Sequence, residues 1–122
     1  MFIPTTMVNK QLKSKSQLAI ALSRLAVFEK FGKPQLLKEQ YATDSEAAAE
    51  AVWFAYMQGD IQDKVVADFG CGTGLLGIAA MLLGAKKVYF VDNDDDALTI
   101  AEKNITAAAT TTNFEIIRAD VA

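Results

Sequence analysis

Residues 65–80 read VVADFGCGTGLLGIAA, and this one stretch narrows the choice of folds more than any other. A short apolar strand ends beside Asp68. Glycines follow at alternate positions, Gly70, Gly72 and Gly74, and then an apolar segment long enough for a helix. A continuously apolar strand suits a parallel sheet covered on both faces. A glycine-rich turn from strand into helix turns backbone N–H groups toward a ligand, with no Cβ in the way.

The pattern repeats downstream. KKVYFVD (86–92) is a second strand, Asp94, Asp95 and Asp96 favour the positive end of a helix reaching about Ile105, and FEIIRAD (114–120) is a third strand. Strand, helix, strand, helix, strand implies parallel strands joined by right-handed crossovers. The expected fold is therefore α/β, a doubly wound Rossmann-like parallel sheet truncated after its third strand, with helices at its N-terminus. Residues 1–15 read as a weakly ordered lead-in. Ser16 is placed to cap a helix carrying Leu18, Leu22, Leu25 and Phe28, which Gly32 and Pro34 stop. Thr43 and Glu46 have capping-box spacing and predict an Ala-rich helix from there to about Met57, with Trp53, Phe54 and Tyr56 packed on the sheet.

At 122 residues, 52% hydrophobic and 22% charged, the chain is one globular domain or a part of one. With Cys71 as the one cysteine and no histidine, an internal disulfide, an imidazole base and a Cys/His zinc site are all excluded. No apolar run approaches the ~18–20 residues of a membrane span, and the N-terminus does not read as a secretory signal. The expected location is cytoplasmic. The net charge of −3 conceals a step: residues 1–38 hold seven basic side chains against Glu29 alone, and residues 39–122 hold five basic against fourteen acidic. This divides the chain into a basic N-terminal segment and helix (1–38) and a ligand-binding part (39–122), incomplete at its C-terminus. The basic segment is read either as a phosphate contact or as a solvated tail.

Ligands of such sheets sit beyond the carboxyl ends of the strands, where Asp68 with the glycine turn, Asp92 and Asp120 fall. Gly72-x-Gly74-x-x-Gly77 fits a dinucleotide pyrophosphate. Asp68-x-Gly70-x-Gly72-x-Gly74 points elsewhere, because a carboxylate at that place repels a pyrophosphate and suits a ligand bearing an ammonium and a sulfonium. S-adenosylmethionine is such a ligand. Asp92 is placed to accept from ribose hydroxyls, and Asp120 or its backbone to meet an adenine edge. DNDDDALTIAEK approaches a calcium loop but has Ala97 and Lys103 where glycine and glutamate are needed. Cys71 is read as a small residue tolerated in a tight turn.

These residues resemble class I S-adenosylmethionine-dependent methyltransferases. More narrowly, LLKEQYATDSEAAAEAVW and DKVVADFGCGTGLLGIAAMLLGAKKVYFVDNDDDAL look like the archaeal and eukaryotic RNA methylases related to the METTL-five enzyme of ribosomal-RNA adenine-N6 methylation. The resemblance runs from about residue 22 to the last residue. It implies that Gln40, Tyr41 and Thr43 close over the cofactor. It also implies that Gly70, Gly72, Thr73 and Leu75 line its methionine and ribose side, that Asp92 holds the ribose, and that Asp120 with Val121 holds the adenine; Asp68 and Gly74 of the acid–glycine pattern complete the cofactor-binding candidates. The implied partners are a structured ribosomal RNA and, as in eukaryotic relatives, a small activating subunit. The family's Asn-Pro-Pro-Phe, which holds and stacks the acceptor base, has no counterpart here: the prolines are Pro4 and Pro34. The expectation is a cofactor-binding half with no catalytic residue and no metal. The alternatives are a methyltransferase for protein or small molecules, a non-catalytic binding module completed by a partner chain, and a nicotinamide-dependent oxidoreductase.

Overall fold

The computed structural model describes residues 12–25 and 35–120, with residues 35–43 described by their backbone alone. The elements are α1 (Lys15–Ser23), α2 (Gln35–Met57), β1 (Val65–Phe69), α3 (Leu75–Leu82), β2 (Lys87–Asp92), α4 (Asp95–Ala108) and β3 (Asn113–Arg118). The three strands form one parallel sheet in the order β1-β2-β3. The alternation expected from residue 64 onward is therefore the alternation observed.

Register shows which face is covered. Val66 pairs with Val88 and Val88 with Phe114, while Asp68 pairs with Phe90 and Phe90 with Ile116. Val88 and Phe90 are fully buried, and Val66 and Ile116 pack against the same cluster. Ile78, Ala79 and Ala80 of α3, Leu98 and Ile105 of α4, and Ala49 and Val52 of α2 complete that core, joined by Leu18, Leu22 and Leu25 from α1 and the residues just beyond it. All four helices among the described residues thus share one core on one face of the sheet. The opposite face carries Val65, Phe69 and Ile117, exposed at 61%, 69% and 38%. Cover on both faces was expected from the unbroken apolar run; among the described residues only one face has it.

The helix starts differ from expectation for local reasons. Ser14, not Ser16, caps α1: its Oγ accepts the Gln17 N–H at 3.1 Å, and Gln17 Oε1 accepts the Lys13 N–H at 2.7 Å. Phe28, Gly32 and Pro34 lie outside the described residues. α2 begins at Gln35, so Thr43 lies well inside it rather than at its cap. Nothing between residues 35 and 42 breaks a helix, and the continuing backbone bonds override a four-residue capping signal. The step in charge at residue 38 falls within this same helix. Trp53 and Tyr56 are half-buried against the core with ring centroids 5.1 Å apart, but Phe54 is 67% exposed.

Candidate cofactor-binding site

The turn after β1 is held by its neighbours. Gly70 and Cys71 both donate their N–H to the Val91 carbonyl, at 2.7 and 3.0 Å, which ties the turn to the end of β2. Gly70 and Gly72 have φ of +69° and +55°, and a Cβ on either would meet nothing within 4 Å. Glycine is needed there by the left-handed backbone, and the space beyond is open for a ligand to approach closely. Gly77 has a different reason: a Cβ would stand 2.3 Å from Phe90 Cε1, so its bareness lets α3 lie on β2.

Asp68 and Asp92 both bond to this turn. Asp68 is buried, and its Oδ2 accepts the Gly77 N–H at 3.0 Å. Gly74 occupies the N-cap of α3 and has no side chain to cap with, so Asp68 reaches across from β1 to do so. Burial pushes its carboxyl above the ordinary range against the pull of that bond, and the nearby Asp92 adds to the rise. Asp92, at the end of β2, accepts the Gly72 N–H at 2.9 Å on Oδ2 and the Asp94 N–H at 3.0 Å on Oδ1. The Gly72 bond, then the Asp94 bond, hold its carboxyl below the usual value. Each oxygen retains a further lone pair for a ligand hydroxyl. Burial, then Asp68 and Asp92, drive the Cys71 thiol up to about 11, which leaves it protonated and inert at neutral pH. Asp120 lies two residues beyond β3, whose end is tied to that of β2 by the Ala119 N–H donating to the Asp92 carbonyl at 2.9 Å. The three acids expected at the strand ends are there.

Above the turn lies an open cleft of about 350 Å³, lined by Asp44, Ala47 and Ala48 of α2, by Cys71 and Thr73, and by Leu75 and Leu76 of α3. Among the described residues, the main-chain N–H groups of Thr73, Leu75 and Leu76 have no acceptor. The last two are unpaired because they open a helix. Donors therefore line one wall, and the Asp44 carboxylate stands on another. Gln40, Tyr41 and Thr43 precede Asp44 on α2, and helical spacing puts positions 40, 43, 44, 47 and 48 on one face. Asp68 borders a separate groove of about 180 Å³ between α2, β1 and α3. Val121 lies outside the described residues.

Two of these features were not anticipated. Asp44 sits in the stretch quoted for the resemblance, next to Thr43, and has no spacing signal of its own. Asn104 of α4 is 2% exposed, and its Nδ2 donates to the Thr73 carbonyl at 2.9 Å. The acids at 94–96 form no ion loop. Asp94 caps α4, accepting from Asp96 and Ala97, and Asp95 pairs with Arg118 at 2.7 Å. No three metal-ligating side chains converge among the described residues. Likewise, no helix among them is long and apolar enough to cross a membrane.

A parallel sheet with a glycine turn after its first strand and acids at its strand ends is the arrangement of class I S-adenosylmethionine-dependent methyltransferases, and comparison with known proteins agrees. The model of the family described as ribosomal protein L11 methyltransferase (PrmA) matches residues 48–122, and the chain belongs to that family. The ribosomal protein L11 methyltransferases of Acinetobacter baumannii (strain AYE) and Psychrobacter sp. (strain PRwf-1) are 56% and 58% identical over 45 residues. Those residues are 37% of this chain and 15% of each relative. A solved structure from Pyrococcus horikoshii, of a protein taken to be an RNA methyltransferase, is 42% identical with a TM-score of 0.71, covering 91% of this chain and 53% of that one. A Thermoplasma acidophilum structure is 30% identical with a TM-score of 0.64, covering 86% and 46%. The chain thus spans about half the length of these structures and a smaller share of the curated relatives.

Proposed function

We propose that this chain is the S-adenosylmethionine-binding half of a methyltransferase that acts on RNA, with an adenine amino nitrogen as acceptor. The observation that carries the cofactor reading is the charge at the turn. Asp68, Asp92 and Asp120 stand at the strand ends, and among the described residues no cation lines the cleft. That field suits a sulfonium and an ammonium and opposes a pyrophosphate. The residues fit the cofactor group by group. Asp92, fixed and kept ionised by two N–H donors, accepts from the ribose hydroxyls. The open faces of Gly70 and Gly72 admit the ribose and the methionine chain close to the backbone. The unpaired N–H groups of Thr73, Leu75 and Leu76 face the methionine carboxylate, and Asp44 faces the ammonium. Asp120 and Val121 take the adenine edge, and Gln40, Tyr41 and Thr43 close the cleft from α2. Bound there, the cofactor supplies an electrophilic methyl group on sulfur. This chain's own residues orient it; no catalytic residue is assigned among them. The work of such a half is positioning.

RNA is favoured as acceptor because the likeness to the Pyrococcus protein extends over 91% of the chain, whereas the matches to the L11 enzymes span 45 residues. The family match favours a second reading, in which the acceptor is an amino group of a ribosomal protein. The two separate in one assay. The product of the complete gene is incubated with radiolabelled S-adenosylmethionine, ribosomal RNA and ribosomal protein L11. Label recovered as N6-methyladenosine is the expected result. Label confined to the protein would replace the first reading with the second.

A further inference from the structure

A buried asparagine on the inner face of α4 is hard to explain by packing. Asn104 is 2% exposed, and its neighbours along that face, Leu98, Ala101 and Ile105, are apolar and buried. Asparagine is a mediocre helix former, and a buried amide costs stability unless it is bonded. A leucine would fill the same place without either cost. What Asn104 does is reach 31 positions back to the glycine turn, where its Nδ2 donates to the Thr73 carbonyl at 2.9 Å.

That bond locks one peptide unit. The Thr73 carbonyl is turned toward α4 by Asn104, and the N–H of the same unit, that of Gly74, donates to the Cys71 carbonyl at 2.8 Å. With both ends held, the Thr73–Gly74 peptide cannot rotate. Gly74, at φ +89°, would otherwise give that peptide the freedom to do so. A rotated peptide would point the carbonyl into the cleft, between the donors of Thr73 and Leu75. There it would oppose any anionic group those donors hold.

We infer that Asn104 is a positioning residue: it keeps the Thr73 carbonyl out of the cleft, so that this wall presents donors alone to the carboxylate of the ligand's amino-acid tail. The inference rests on the proposed cofactor, and the test separates the two. The chain is titrated with S-adenosylmethionine and with 5′-methylthioadenosine, which has the same nucleoside and no amino-acid tail. Asn104→Leu is expected to weaken the first by about tenfold, the scale of one hydrogen bond's worth of misalignment, and the second by less than about twofold. Ile105→Val, which trims the same helix face without touching the turn, is expected to lower both affinities equally or not at all. Should the leucine variant not fold, Asn104→Ser, polar but too short to reach Thr73, gives the same comparison. Equal losses for both ligands, or none, would overturn the positioning role while leaving the cofactor reading intact. A wild-type chain that binds neither ligand would overturn the cofactor reading and the positioning role with it.

Discussion

Gly77→Ala places a methyl group where the structure has no room for one. The added Cβ would lie 2.3, 2.8 and 2.9 Å from Cε1, Cζ and Cδ1 of Phe90. Carbon atoms in contact rest at ~3.5–4.0 Å, so the ring would have to retreat by about 1 Å. It has nowhere to go. Phe90 is fully buried on the central strand, with Phe114 against it edge-on at 6.4 Å. Overpacking of this kind costs about 1–3 kcal/mol. Alanine returns up to ~1 kcal/mol of helix propensity, and less than that in a first turn. The net destabilisation is about 1–2 kcal/mol, which lowers the melting temperature by roughly 4–8 °C in a domain of this size. Circular-dichroism melts of the wild type, Gly77→Ala, Phe90→Leu and the double variant measure it. The double variant is expected to be more stable than the two single losses summed, because the smaller side chain vacates the space the methyl needs. An unchanged or raised melting temperature for Gly77→Ala, or strict additivity, would refute the claim that this glycine exists for helix–strand contact.

Other outcomes follow from the same geometry. Burial raises the Asp68 carboxyl in the folded state, so its charge opposes folding at neutral pH and the opposition fades as pH falls through the raised value; Asp68→Asn keeps an acceptor for Gly77 and is expected to raise the melting temperature at pH 7, with the gain shrinking in acid. Asp92 is shifted the other way, so it contributes stability above the ordinary carboxylate range that is lost as pH falls through its depressed value. In calorimetric titration, Asp92→Ala is expected to cost at least about tenfold in S-adenosylmethionine affinity. Asp95→Ala, which breaks only an exposed pair with Arg118, is expected to leave that affinity unchanged. Ala109 ends α4 at φ +53°, a left-handed position that costs an alanine more than a glycine, and Ala109→Gly is expected to stabilise the chain by roughly 1 kcal/mol in a denaturant melt.

The strands were legible because their apolar runs are bounded by residues that stop a strand. Val65–Phe69, Lys87–Asp92 and Asn113–Arg118 lie within one or two residues of the expected bounds. The ends of those strands carry the candidate site, so the positions of Asp68, Asp92 and Asp120 came with them. The sidedness of the sheet was not legible. VVADF is apolar on both of its faces, and only packing reveals that Val65 and Phe69 stay exposed while Val66 and Asp68 turn inward. The start of α2 was misjudged for another reason: Thr43 and Glu46 carry a true local signal, but it competes with eight preceding residues that favour continuing the helix. For Ser14 the clue was present in Gln17 three residues on, a partner that Ser16 lacks. Asn104 could have been found as the polar interruption of the face that Leu98, Ala101 and Ile105 define. Asp68 shows the limit in the other direction. Its position was read correctly, but its bond to Gly77 depends on a contact nine residues apart that only the folded turn creates.

The central claim is that the carboxylates around the glycine turn select a cationic methyl donor over a dinucleotide. Isothermal titration of the chain with S-adenosylmethionine and with NAD in parallel tests it most directly. The expected result is saturable binding of S-adenosylmethionine, with no heat from NAD over the same concentrations. Saturable binding of NAD with none of S-adenosylmethionine would contradict the account, because it would mean that the turn serves a pyrophosphate in spite of Asp68 and Asp92.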